Sequence, residues 1–139
     1  MKNFTKISKM IVVVLLSIFA FTQTKAQCDY EIALYDSWGD GWNGGQVSVF
    51  VDGTEVLDDI TLASGTGPEF HTFPVATGSE ITTDYVAGSF SSENMYEIID
   101  SEGNVVWTEG AGSATPGDIG PGMLFATCPS PPCDYEIAL

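Results

Sequence analysis

The sequence contains very few positive charges, and all of them lie near its start. Its 139 residues include 19 acids, one histidine and four lysines, but no arginine. The lysines are Lys2, Lys6, Lys9 and Lys25. Because nothing after Lys25 can neutralise phosphates, we expect no binding to nucleic acid or to anionic membrane surfaces. The carboxylates also have no lysine or arginine to pair with, which favours solvation or a bound cation.

Residues that support catalysis are also scarce. His71 is the only histidine, and its neighbours Phe70 and Thr72 are typical of a strand face. The sequence has no nucleophile motif, no phosphate-binding glycine loop and no His/Cys zinc cluster. A carboxylate pair suitable for glycoside hydrolysis is expected by chance among 19 acids. We therefore predict a non-catalytic protein, with no catalytic and no cofactor-binding residue.

Residues 1–27 have the pattern of a secretory signal peptide. Lysines precede the apolar run 11–21, and small residues follow, with Ala26 directly before the expected cut. A membrane anchor is the alternative, but the apolar run is shorter than the ~20 residues that span a bilayer. Gln27 stands where a lipoprotein signal wants a small residue before Cys28. We predict a secreted or cell-surface protein whose mature charge is 0 − 19 = −19.

An internal repeat predicts how the rest of the chain is organised. The residues CDYEIAL at 28–34 recur unchanged at 133–139, an offset of 133 − 28 = 105 residues. We interpret 28–128 as one whole unit, 129–132 as a proline linker, and 133–139 as the truncated start of a second copy. The protein is then one bead of a tandem array, and adjacent copies of the repeat are its neighbours.

The three cysteines fit this arrangement. In an exported chain, cysteines first predict disulfides. Cys28 and Cys128 stand at the two ends of one unit and are expected to pair, with Cys133 awaiting a partner in the second copy. The alternative is a pair between Cys128 and Cys133 across the prolines.

Apolar residues that alternate along the unit predict an all-β fold. Tyr30, Ile32 and Leu34 would share one face of the first strand, and the same period of two recurs along the unit. Turn pairs such as 52–53 (DG) separate about eight short strands, the last at 123–128. The pattern predicts an antiparallel β-sandwich, jelly-roll-like, without fixing its topology.

The ten residues 36–45, DSWGDGWNGG, form the most distinctive motif. Four glycines in ten residues exclude a regular strand, so the segment must be a shaped loop. Asp36, Asp40 and Asn43 place side-chain oxygens at the close intervals that a hard cation such as Ca²⁺ requires. The alternative is a long turn in which the Asp-Gly and Asn-Gly pairs supply positive φ angles.

A second polar loop is a candidate partner for this motif. Residues 91–94, SSEN, begin a later predicted strand. If the two loops meet at one end of the sandwich, Glu93 and Asn94 would complete an oxygen shell for Ca²⁺. The alternative is a strand-initiating turn with solvated polar groups.

Two tryptophans flank the acids of the glycine loop. Exposed aromatic rings beside a metal can stack on sugar rings, so Trp38 and Trp42 are candidate ligand contacts. The alternative is that they pack over the end of the core.

Several of these motifs resemble a known module. CDY-x-I at 28–32, DSWGDGWNG at 36–44, SEN-x-Y-x-I-x-D at 92–100 and GNVV at 103–106 are similar to the D-S-x-G-D-G-W repeats of large secreted bacterial proteins. Such modules occur beside secreted proteases, in adhesins and in type IX-sorted surface proteins. The resemblance implies a β-sandwich accessory module in a multidomain exported protein.

The resemblance and the residues together lead to one expected function. By analogy with CUB-like sandwiches, whose end-loop acids hold calcium, Asp36, Asp40 and Glu93 would be metal ligands. We expect a non-catalytic extracellular module, stabilised by calcium, that serves adhesion or attachment to a glycan or protein on a surface. The alternatives are a carbohydrate-binding module and a structural spacer without a ligand.

Overall fold

The computed structural model describes residues 25–130, which form two antiparallel sheets. The strands are β1 Gln27–Asp36, β2 Gln46–Val51, β3 Thr54–Ile60, β4 Glu69–Ala76, β5 Ile81–Val86, β6 Asn94–Ile99 and β7 Val105–Glu109. One sheet has the order β4-β1-β6-β7 and the other the order β3-β2-β5. The predicted all-β antiparallel sandwich is confirmed. Two 3-10 turns, Ser91–Glu93 and Ala111–Ser113, complete the structure, and no helix in residues 25–130 is long and apolar enough to cross a membrane.

The core lies between the two sheets and follows the alternation of the sequence. Tyr30, Ile32 and Leu34 on β1 are buried, as predicted from their shared face. Val47 and Val49 on β2 contribute to the same core cluster from the other sheet. Each fully buried aliphatic side chain of this kind contributes ~1.5–3 kcal/mol relative to exposure.

The two ends of the unit differ slightly from the prediction. β1 begins at Gln27, which pairs with Ala76, so the fold starts one residue before the predicted boundary at Cys28. The predicted last strand, 123–128, is an extended segment with a single isolated bridge, Glu80 to Phe125. Residues 1–24 of the predicted signal peptide and the predicted second copy, 133–139, lie outside the described residues.

The first and last segments of the unit lie side by side. The sulfurs of Cys28 and Cys128 are 2.11 Å apart, at disulfide distance, across 100 residues of sequence. Next to them, the Tyr30 hydroxyl donates to the Thr127 carbonyl at 3.1 Å and accepts from the Thr127 amide at 3.0 Å. Cys133 lies outside the described residues, so its predicted role stays a prediction.

The register of β1 with β6 brings the two polar loops together. Antiparallel pairing places Asp36, the last residue of β1, opposite Asn94, the first residue of β6. The Ser37 amide then donates to the Glu93 carbonyl at 2.9 Å. Because β1 and β6 are paired, the glycine loop that follows β1 lies next to the turn that precedes β6.

We predict that removal of the disulfide by the double substitution Cys28→Ser and Cys128→Ser strongly destabilises the unit. Closing a loop of about 100 residues restricts the unfolded chain by ~4–5 kcal/mol on entropy alone. Denaturant titrations of the oxidised chain and of the variant measure the difference. A loss below ~1 kcal/mol would contradict this role, and chemical reduction of the wild-type chain is the matched control.

Candidate functional site

The three acids that were predicted as metal ligands form one group in the structure. Asp36 at the end of β1, Asp40 in the glycine loop and Glu93 in the turn before β6 each offer an oxygen within 4.8 Å of the others. Asp36 is buried, Glu93 is half-buried and Asp40 is exposed. The group therefore extends from the end of the sandwich core to the solvent.

The two oxygens of the Asp36 carboxylate have different surroundings. Oδ2 accepts from the backbone amides of Trp38 at 3.1 Å, of Gly39, and of Asp40 at 3.2 Å. Oδ1 is also buried but has no hydrogen-bond partner. A buried carboxylate oxygen without a partner is costly unless a donor or a cation satisfies it. Oδ2 thus stabilises the turn of the loop, and Oδ1 has no protein partner that would prevent it from binding a cation.

The carboxylate of Glu93 is repelled by the carboxylates of Asp40 and Asp36. Partial desolvation raises the pKa of its carboxyl above the usual range, and the nearby charges of Asp40 and Asp36 raise it further. Like charges held close together disfavour ionisation of each other. A divalent cation among the three carboxylates would remove this repulsion.

The glycine loop rests on the chain segment that joins β3 to β4. The Trp42 amide donates to the Leu62 carbonyl at 2.8 Å, and Asp40 forms an isolated parallel bridge with Gly65. Gly41 has φ +84°, and a Cβ on it would lie 2.5 Å from the Leu62 carbonyl oxygen. Only glycine allows this close approach, which fixes the position of Asp40.

The two predicted asparagine ligands use their side-chain nitrogens within the fold. Asn43 is exposed with φ 50°; its Nδ2 donates to the Gly41 carbonyl at 2.9 Å. Asn94 is buried, and its Nδ2 donates to the Tyr85 hydroxyl at 2.9 Å. These contacts use the amide nitrogens, whereas a metal would be bound through Oδ1, and Oδ1 of Asn94 is buried without a hydrogen-bond partner. Asn43 and Asn94 therefore stay predicted ligands beside the group of three acids.

The two tryptophans of the loop have opposite environments. Trp42 is 0 % exposed, its Nε1 donates to the Tyr35 carbonyl at 2.7 Å, and its ring packs edge-on against Tyr85 at 5.7 Å between centroids. The prediction that Trp42 contacts a ligand is therefore wrong, since the ring closes the end of the core. Trp38 is 80 % exposed and remains a candidate contact.

A second exposed aromatic residue, Phe90, was not predicted. It is 67 % exposed and precedes the 3-10 turn that carries Glu93, with φ 59°. Trp38, Asp40, Phe90 and Glu93 line a groove of about 290 Å³, which we call the aromatic–acidic groove. The available signal in the sequence was a lone phenylalanine between the serines of a polar loop.

No protein-family model, curated protein or solved structure matches this chain. The function of the site is therefore argued from its own geometry and chemistry.

The spacing of the acidic group is compatible with a bound metal ion such as calcium. Calcium binds oxygens at ~2.3–2.6 Å, so two oxygens on one ion lie at most about 5 Å apart. The separations within 4.8 Å among Asp36, Asp40 and Glu93 fit this limit. The donor set is all oxygen, whereas zinc sites use mainly nitrogen and sulfur.

We predict that Glu93→Gln raises the melting temperature at neutral pH in chelator. The pKa of Glu93 is raised by folding, so its carboxyl favours the folded state only at low pH, and this contribution is lost as pH rises through the raised pKa. Glutamine keeps the shape of the neutral form at every pH. The gain should therefore vanish below the ordinary glutamate pKa of ~4.3.

Thermal melts across this pH range check the prediction, with Glu55→Gln as the matched control. Glu55 is exposed on β3 and its substitution changes the net charge by the same amount. An equal gain in both variants would assign the effect to total charge rather than to the acidic group.

Proposed function

We propose that this chain is a non-catalytic, calcium-stabilised extracellular module for adhesion or surface attachment within a larger secreted protein. The observation that carries the proposal is the buried, unpaired Oδ1 of Asp36. It belongs to a carboxylate grouped with those of Asp40 and Glu93 within 4.8 Å. These three residues would hold the ion.

The geometry supports a structural part for calcium. Asp36 belongs to β1, Asp40 to the glycine loop and Glu93 to the turn before β6. An ion bound by all three would offset the repulsion among their carboxylates and add to the hydrogen bond that already joins the two segments, from the Ser37 amide to the Glu93 carbonyl. Binding to the folded state alone raises the free energy of unfolding by mass action.

An extracellular location is supported by several independent features. Residues 1–27 have the pattern of a signal peptide, and the pair of Cys28 and Cys128 at disulfide distance is compatible with an oxidising compartment. Extracellular calcium modules bind with dissociation constants of ~10⁻⁴–10⁻³ M, which suits a site with three carboxylates and one exposed side.

A role in attachment is supported by the exposed aromatic side chains that lie beside the acids. Trp38 and Phe90 remain largely exposed next to Asp40 and Glu93. Large exposed aromatic side chains beside a polar cluster are typical of binding surfaces. The motifs also resemble accessory repeats of secreted surface proteins. A carbohydrate-binding role is the second candidate, and it now depends on Trp38 with Phe90 instead of Trp42.

We predict that millimolar Ca²⁺ raises the melting temperature of the oxidised chain relative to chelator. Millimolar Ca²⁺ is roughly 1–10 times the dissociation constant given above, so the gain is about 0.4–1.4 kcal/mol, and each kcal/mol corresponds to ~4–8 °C in a domain of this size. Asp40→Asn should lose most of this gain, and its melt in chelator should not fall and should rise slightly, because the substitution also relieves the repulsion with Glu93. Asp40 suits the test because it is exposed, whereas Asp36 also holds the loop amides.

The matched control is Asp84→Asn, which removes one exposed acid from β5. It should keep the full calcium response. A wild-type melt that does not change with calcium would reject the metal site and favour the spacer without a ligand. A loss for Asp40→Asn of equal size in chelator would assign that residue to the turn itself.

A further inference from the structure

The aromatic–acidic groove has a composition that selects one kind of ligand. Its walls are the rings of Trp38 and Phe90, and the carboxylates of Asp40 and Glu93. The rings are 80 % and 67 % exposed, so their faces are available to a partner. An ionised carboxylate can accept hydrogen bonds but cannot donate them. The acidic side chains of the groove therefore favour a positively charged group with several hydrogen-bond donors.

We propose that the aromatic–acidic groove binds a lysine or arginine side chain of a partner protein. The cationic head would lie on the solvent side of the carboxylates of Asp40 and Glu93, leaving the side towards Asp36 to the proposed calcium ion, and the apolar stem would lie along the rings of Trp38 and Phe90. This names the partner chemistry of the proposed attachment module and rests on that proposal for its biological role.

Charge complementarity across the chain supports this occupant. Lys25 is the one lysine or arginine among the described residues, and its Nζ lies beside Gly78, so no lysine or arginine of the described chain lines the groove. A bound calcium ion does not remove the attraction. Three carboxylates carry 3 negative charges, the ion carries two positive ones, and one negative charge remains for a monovalent side chain.

The aromatic rings add cation–π attraction to the general attraction between opposite charges. A cation within ~6 Å of an aromatic ring gains ~0.5–2 kcal/mol, depending on its desolvation. Arginine and lysine also bury their aliphatic stems on apolar surfaces while the charge stays hydrated. The arrangement of two rings beside two acids therefore favours a basic side chain over an acidic or a neutral polar one.

The backbone holds Phe90 in this position. The Glu93 amide donates to the Phe90 carbonyl at 2.9 Å, and the Ser89 amide donates to the Asn43 carbonyl at 3.1 Å. A Cβ on Gly88 would lie 2.2 Å from the Gly45 amide nitrogen, so the two loops are in close contact. Phe90 and Trp38 are thus presented by two loops that are fastened together before any ligand binds.

The test measures binding of a fluorescently labelled oligolysine peptide to the oxidised full chain in constant millimolar Ca²⁺. Trp38→Ala should weaken binding about tenfold, the order expected for loss of a partly desolvated cation–π contact. Phe90→Ala should act in the same direction, and Trp38→Phe, which keeps a ring, should bind with intermediate affinity. None of these substitutions changes the net charge.

Phe70→Ala is the matched control, since it removes an exposed aromatic ring from β4, outside the groove. It should bind like the wild type. Equal affinity for all variants would show that the peptide is held by net charge alone and would overturn the proposal. Binding of neutral oligosaccharides that depends on Trp38, without such dependence for oligolysine, would overturn it in favour of a sugar site.

Calcium-dependent melts separate this proposal from the calcium proposal. Trp38 is not among the three acidic side chains, so Trp38→Ala should keep the calcium-dependent rise in melting temperature. Loss of peptide binding with an intact calcium response therefore supports the groove independently of the metal.

Discussion

The local structure of the candidate site depends on the buried carboxylate of Asp36. Through Oδ2 it accepts from three successive backbone amides, those of Trp38, Gly39 and Asp40. These contacts turn the chain sharply as it leaves β1 and place Trp38 and Asp40 on the outer side of the loop. Its other oxygen, Oδ1, is buried at the end of the sandwich without a hydrogen-bond partner. One residue therefore shapes the loop and belongs to the proposed cation site.

Much of the fold and part of the site could be predicted from the sequence because both depend on short-range patterns. The alternation of Tyr30, Ile32 and Leu34 fixed which face of β1 is buried. The clustering of Asp36, Asp40 and Glu93 followed from two polar loops at strand ends, once those ends were neighbours. That last step needed the β1–β6 pairing, which the alternation does not encode.

The wrong or missing predictions concern side chains in glycine-rich loops. Positive φ angles at Gly39 and Gly41 reverse the chain between Trp38 and Trp42, so one ring faces solvent and the other the core. From the sequence alone both tryptophans are candidate ligand contacts, whereas the backbone geometry exposes Trp38 and buries Trp42. Phe90 was missed for a related reason, since its left-handed φ of 59° exposes a ring in a loop that otherwise has polar residues.

The position of the Cys28–Cys128 pair has a mechanical consequence for a protein attached at a surface. The pair lies at the start of β1 and Asp36 at its end, about 26 Å away at ~3.3 Å per residue. A pulling force applied to the chain on either side of the unit would pass through the covalent bridge. The strands and the loop around Asp36 would carry almost none of it. Under tension the aromatic–acidic groove at the far end of β1 would therefore keep its shape.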